Sequence, residues 1–123
     1  MNTDTAQKLE TLKQLFDSFR HQRQDEAEAL FAEPFSFTSP YDDAIDKAAY
    51  FERCWPNAGK LKDQVIENML VEGTLGYVTY QASTPEGMTF RNTECFHFDG
   101  NRICRIEVFF GAAYDQGVFA RMR

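Results

Sequence analysis

The stretch Phe90-Arg-Asn-Thr-Glu-Cys-Phe-His-Phe-Asp-Gly-Asn-Arg-Ile-Cys-Arg-Ile-Glu-Val-Phe-Phe-Gly111 decides the fold of this chain. Two long alternating runs flank Asp99-Gly100, a dipeptide that favours a tight hairpin turn. In the first run Phe90, Asn92, Glu94, Phe96 and Phe98 alternate with Arg91, Thr93, Cys95 and His97. Strand side chains point to opposite faces with a period of two, so Glu94 and Asn92 share a face with three phenylalanines. A carboxylate among aromatic rings is costly to desolvate without a partner or water beside it. Glu94 is therefore the leading candidate for a pocket residue and, with a pKa raised by desolvation, for an acid or base.

The second run places Ile106, Val108 and Phe110 on one face and Arg105 and Glu107 on the other. A two-residue loop at Asp99-Gly100 sets Glu94 opposite Arg105 and Cys95 opposite Cys104. A three-residue loop that includes Asn101 sets Glu94 opposite Ile106, which the apolar stripe favours. One hairpin earlier, Thr84-Pro-Glu-Gly87 is a strong turn. If those four residues close a tight hairpin, Gln81 faces Phe90, Thr79 faces Asn92 and Tyr77 faces Glu94. The expected pocket then has a polar floor of Tyr77, Thr79, Gln81, Asn92 and Glu94 with Phe90, Phe96 and Phe110 around it. His97, Tyr80 and Phe109 are expected on the outer face.

Upstream of Leu61 the periodicity changes. Leu9, Leu12, Leu15, Phe16 and Phe19 recur at spacings of three and four, one face of a helix that Thr3 or Asp4 can cap. Asp25 with Glu28 fits a capping box for a short second helix carrying Leu30 and Phe31. Phe35-Ser-Phe-Thr-Ser39 alternates as a strand ended by Pro40, and Asp46 caps a third helix from Lys47 to about Trp55. Strands follow at Lys62–Glu72 and Leu75–Ser83. Segregated helices and strands imply an α+β fold: three N-terminal helices and one strand, then an antiparallel meander.

The chain has 123 residues, the size of one domain spanning 1–123. Its 12 Phe, 5 Tyr and 1 Trp suit cavity walls as well as a core. A formal charge of −6 argues against a nucleic-acid partner. No long apolar run suggests a membrane span, and Met1-Asn-Thr-Asp-Thr-Ala has no signal-like pattern, so a cytoplasmic location is expected. Cys54, Cys95 and Cys104 form no C-x-x-C pair, the usage of a reducing compartment. His21 and His97 lie in no zinc-binding spacing, so no metal and no cofactor are expected. Cys95 and Cys104 read as packing residues, with no histidine nearby in the expected arrangement to activate a thiolate.

With the element order in place, the whole chain resembles the nuclear-transport-factor-2-like superfamily in its SnoaL-like branch. The resemblance spans roughly Leu9 to Gly111. It rests on the element order, on Phe37-Thr-Ser-Pro40, on Ile45-Asp-Lys-Ala-Ala-Tyr-Phe51, and on Phe96 to Ile103 running on to Val108-Phe-Phe-Gly111. It implies a cone of curved antiparallel sheet around a deep pocket, closed by helices, in a homodimer formed through the outer sheet face. It implies chemistry of the isomerase, dehydratase, cyclase or epoxide-hydrolase kind, or none. Set beside ketosteroid isomerases, Glu94 falls where that group keeps an oxyanion-stabilising acid. That group's general base falls at Ser39 and its oxyanion tyrosine near Leu15 or Phe16, so two of its three catalytic groups are missing. Tyr41, Tyr50 and Trp55 would line the mouth, with Asp42 and Asp43 in turn or capping roles at the rim. Tyr114 and Phe119 in the tail could cap the pocket or clasp a partner subunit. The expectation is a pocket for a small apolar or mixed-polarity molecule bearing a carbonyl or hydroxyl, with Glu94 as the acid–base group. The alternative is a non-catalytic ligand-binding or protein-interaction module.

Overall fold

The chain is described, over residues 3–122, from a computed structural model. Its elements are α1 (Thr3–Arg20), α2 (Gln24–Glu28), β1 (Phe31–Thr38), α3 (Lys47–Arg53), β2 (Lys62–Glu72), β3 (Leu75–Ser83), β4 (Met88–Asp99), β5 (Arg102–Asp115) and β6 (Val118–Met122), with a 3₁₀ turn at Trp55–Asn57. The fold is α+β: helices lie against one face of a curved, unclosed sheet in the order β1-β5-β4-β3-β2, with β6 added alongside β5. One pairing departs from the antiparallel expectation, since β1 runs parallel to β5. Its Pro34 is tolerated because it lies where the β1–β5 register shifts, between Phe31 and Ser36, and so is not called on to donate to that ladder.

Helix α1 forms where the three–four spacing demands it and buries Leu12, Leu15 and Phe16 against the sheet. Thr3 and Asp4, the expected caps, both lie within the helix, and Asp4 is in its first turn, where an acid favours the helix dipole. Phe16 packs edge-on to Tyr80 and Phe96, at 5.5 and 6.1 Å between ring centres. In α3 the expected cap is present: the Asp46 carboxylate accepts from the Ala49 amide at 2.9 Å. The capping box at α2 is not, because Asp25 already lies inside the helix and Phe31 opens β1 instead. One aromatic cluster joins β1 to α3: Phe31 stacks on Phe35 at 4.4 Å and Tyr50 packs on Phe31, Phe35, Phe37 and Phe51.

Register decides which side chains meet. Ser83 pairs with Thr89 and Tyr80 with Asn92, one residue away from the tight-hairpin expectation. The turn is a three-residue loop, Pro85-Glu86-Gly87, closed by the Thr84 amide on the Met88 carbonyl at 2.8 Å. Gly87 has φ +95°, a conformation that favours glycine and that this loop length uses. A one-residue slip reverses faces. Tyr77, Thr79 and Gln81 therefore point outward opposite Cys95, Thr93 and Arg91, while Val78, Tyr80 and Ala82 point inward with Asn92, Glu94 and Phe90. At the next turn neither expected register holds. Gly100-Asn101 is the loop between Asp99 and Arg102, and a bulge after His97 sets Glu94 opposite Val108 and Cys95 opposite Glu107. The stripe Ile106, Val108 and Phe110 nevertheless faces inward beside Glu94. A second irregularity brings Gly111 against Arg91, whose carbonyl oxygen would lie 2.4 Å from any Cβ there, so glycine is required.

Candidate functional site

Because the sheet curves around α1 and α3, its inner face and these helices enclose a cavity of about 660 Å³. Its walls are largely apolar and aromatic, with Leu15, Phe16 and Phe19 from α1, Phe37 from β1, Tyr50 from α3, and Ile106, Val108 and Phe110 from β5. The polar groups on its sheet wall come from β3 and β4, with Gln64 of β2 nearer the edge of the sheet. Asn92 Nδ2 donates to the Tyr80 hydroxyl at 3.1 Å, and that hydroxyl donates to Glu94 Oε2 at 3.0 Å. The three residues form a directed chain ending on the carboxylate. Tyr80 and Asn92 are buried, and Glu94 is half-buried beside the cavity.

Electrostatics follow from this enclosure. Desolvation raises the Glu94 carboxyl to a pKa of about 7, against a smaller downward pull from the Tyr80 hydrogen bond. Tyr80 and Tyr50 are both pushed well above the usual phenol range, first by burial and next by the negative charge of Glu94. Both phenols therefore stay protonated and can donate hydrogen bonds. Cys54, also on the wall, is pushed up to about 11 by burial and by Asp42, so it stays a thiol and is a poor nucleophile.

The rim is polar. Arg53 donates to Asp42 Oδ1 at 2.8 Å, and Ser39 Oγ accepts from the Tyr41 amide at 3.1 Å. Asp43 accepts from Thr38 Oγ1 at 3.3 Å, and Tyr41 packs edge-on to Phe110 at 5.6 Å. The segment between β1 and α3 is held over the mouth by paired Phe37 and Ile45 backbones, at 2.9 Å in both directions.

Of the residues singled out from the sequence, Glu94, Asn92 and Phe110 line the cavity. Phe96 lies behind Phe16 and is fully buried, while Phe90 is half-buried against the core and off the cavity wall. Trp55 packs between Phe19 and Phe51 as core, whereas Tyr41 and Tyr50 do line the cavity. Tyr77, Thr79 and Gln81 are corrected to the outer face and Tyr80 to the inner, all through the one-residue difference in loop length. Tyr80 was the missed residue; the positive-φ preference of Gly87 at the end of a three-residue loop was the signal for it. Tyr114 and Phe119 pair across β5 and β6 and do not reach the cavity. On the outer face, Cys95 does have a histidine nearby, since His97 Nε2 lies 3.8 Å from its sulfur.

A profile of the SnoaL-like domain family matches residues 12–106, and the chain belongs to that family. Among solved structures it is similar to a Kribbella flavida protein provisionally named a ketosteroid isomerase, with 20% identity and a TM-score of 0.76 over 92% of this chain and 84% of that one. It is similar to a Jannaschia protein provisionally named a SnoaL-like polyketide cyclase, with 17% identity and a TM-score of 0.74 over 89% of each chain. An epoxide hydrolase of Mycobacterium tuberculosis, described as LEH-like, shares 13% identity and a TM-score of 0.68 over 86% of this chain and 84% of that one. At these identities the likeness establishes the fold. A comparison with curated proteins finds no match. Among the described residues no helix is long and apolar enough to cross a membrane.

Proposed function

We propose that the cavity binds a small, mainly apolar molecule bearing a carbonyl or hydroxyl and turns it over by cofactor-independent proton transfer. The observation that carries this reading is the Asn92–Tyr80–Glu94 hydrogen-bonded chain on the wall of a largely apolar cavity. A carboxyl with a pKa of about 7 is half ionised near neutrality, so Glu94 can both take and return a proton. In this reading Glu94 removes a proton next to a substrate carbonyl, and the protonated Tyr50 hydroxyl donates to the oxygen that gains charge. Asn92 and Tyr80 hold the carboxylate in position, while the phenylalanines exclude water. The rim serine, Ser39, is engaged in its own turn and takes no proton. The isomerase and cyclase names of structural neighbours are consistent with this reaction class.

The test is α-proton exchange. A panel of cyclic and aryl ketones is incubated with the protein in D₂O and followed by NMR. Accelerated deuteration that falls by about 10²–10⁴-fold in Glu94→Gln supports the reading, since that is the usual contribution of a general base. Binding seen as shifts at Tyr80 and Glu94 without exchange favours the non-catalytic ligand-binding alternative, and neither binding nor exchange refutes both. The outer sheet face, where Leu70 is 68% and Phe109 57% exposed, is the proposed homodimer surface. Sedimentation of Phe109→Asp as a monomer beside a dimeric parent would support it.

A further inference from the structure

The face of the sheet turned away from the cavity carries a second chemical grouping. Cys95 and His97 are two apart on β4 and so point the same way, and Glu107 lies directly opposite Cys95 on β5. The bulge after His97 creates this pairing, which either register inferred from the turn alone would have missed. The Cys95 sulfur lies 3.8 Å from His97 Nε2, which lies 3.2 Å from Glu107 Oε1, and all three donor atoms fall within 4.8 Å of one another. Arg105 takes the other carboxylate oxygen, Oε2, at 3.1 Å and leaves Oε1 turned towards the histidine. On β3, Tyr77 is the register partner of Cys95 and shares its face.

We propose that Cys95, His97 and Glu107 form a binding site for a single zinc ion. Bond lengths of about 2.3 Å to sulfur and about 2.0–2.1 Å to nitrogen and oxygen place tetrahedral ligand atoms about 3.5 Å (S to N) and about 3.3 Å (N to O) apart. The two observed spacings match those edges, and the third, sulfur to oxygen, lies within 4.8 Å, so closing on an ion takes side-chain movement and no change of backbone register. A sulfur, an imidazole nitrogen and one carboxylate oxygen form a borderline-soft set. It suits zinc and cobalt, not the all-oxygen shells of magnesium or calcium. Three protein ligands leave the fourth position open to water, and the His97 and Glu107 side chains, 34% and 27% exposed in the single chain, leave a path for entry before two copies meet across this face. Arg105 acts from outside the shell, orienting Glu107. The ion would clip β4 to β5 on the side opposite Glu94, independently of whatever the cavity binds.

Cobalt titration of chelator-treated protein tests the site, because a thiolate bound to cobalt(II) gives a charge-transfer absorption that an ion pair cannot. The expected result is a band saturating at one cobalt per chain and bleached by zinc. It is absent in Cys95→Ser and intact in Cys54→Ser, whose sulfur lies on the cavity side. His97→Gln and Glu107→Gln, at half-exposed positions, should each weaken cobalt binding by more than about 100-fold, beyond what loss of an outer-shell partner costs. Zinc should raise the thermal midpoint of the parent but not of His97→Gln. The site is refuted if folded parent protein gives no band, if the band survives in Cys95→Ser, or if neither Gln variant weakens cobalt binding. Saturation at half a cobalt per chain would assign the ion to two chains and overturn the site as described. Should Cys95→Ser fail to fold, the two Gln variants decide the question.

Discussion

The two faces of strands β3, β4 and β5 are built from interleaved residues of the same sequence, yet they do opposite things. Inward, Val78, Phe96 and Ile106 are essentially inaccessible to water, and the polar residues among them are joined in the Asn92–Tyr80–Glu94 chain. Outward, Tyr77 and Phe109 are 45% and 57% exposed, Thr79 and Thr93 share a hydrogen bond at 2.7 Å, and Arg91 pairs with Glu67. Titratable groups on the inner wall are shifted by desolvation, whereas the outer ion pairs remain in contact with water and are screened by it. The same residue types thus acquire different chemistry from the side of the sheet they occupy.

The contrast can be broken most severely through the core. Phe96→Ala, which empties a fully enclosed site beneath Phe16, is expected to cost about 3–5 kcal/mol in urea denaturation. A loss under 1 kcal/mol would mean that the inner face is not packed as described.

The next effect is pH-dependent. Glu94 has a folded-state pKa raised from 4.5 to about 7, so between those values the folded chain holds a proton that the unfolded chain releases. Its contribution to stability is therefore complete below about pH 4.5 and is lost as the pH rises through 7. A shift of this size corresponds to at most about 3 kcal/mol. Comparing parent with Glu94→Gln across that range should show a parent-specific decline, and parallel profiles would contradict a desolvated carboxyl.

Tyr80→Phe removes the donor to Glu94 and leaves Asn92 without its acceptor, at an expected cost of about 1–3 kcal/mol. Because the Tyr80 hydrogen bond lowers the Glu94 pKa, the variant should titrate above the parent value in carbon-13 spectra of the glutamate carboxyl. Tyr77→Phe, one position over in register but on the outer face, should leave that titration where it is.

The smallest effect belongs to the outer face. Leu70→Ala should change the stability of dilute protein by no more than about 0.5 kcal/mol, since its side chain is already exposed. A larger loss that grows with protein concentration would show that a second copy covers this face.

How much of this was legible beforehand varied with the range of the interaction involved. The three–four spacing of α1, the Asp46 cap of α3 and the alternation of β2 to β5 are local patterns, and each produced the element it predicts. Glu94, Asn92 and Phe110 lie on the inner face, where the alternation of their own strands puts them beside phenylalanines. Tyr80, by contrast, was assigned to the wrong face, because its side follows from whether Gly87 ends a two- or a three-residue loop. β6, the parallel seat of β1 on β5 and the meeting of His97 with Cys95 and Glu107 were also unreadable. All of them arise from pairing between segments and from bulges that no single segment encodes.

The sequence by itself determined the kinds of element, their order, the α+β class and the presence of an acid among aromatics, because period and turn chemistry are properties of neighbouring residues. Only the tertiary structure decided which faces meet and so which tyrosine holds Glu94, how large the cavity is, and which residues share the outer cluster. The physical reason is the two-residue period of a strand: one residue more or less in a distant turn exchanges every inward side chain for an outward one. That choice is made by the packing of the whole sheet against α1.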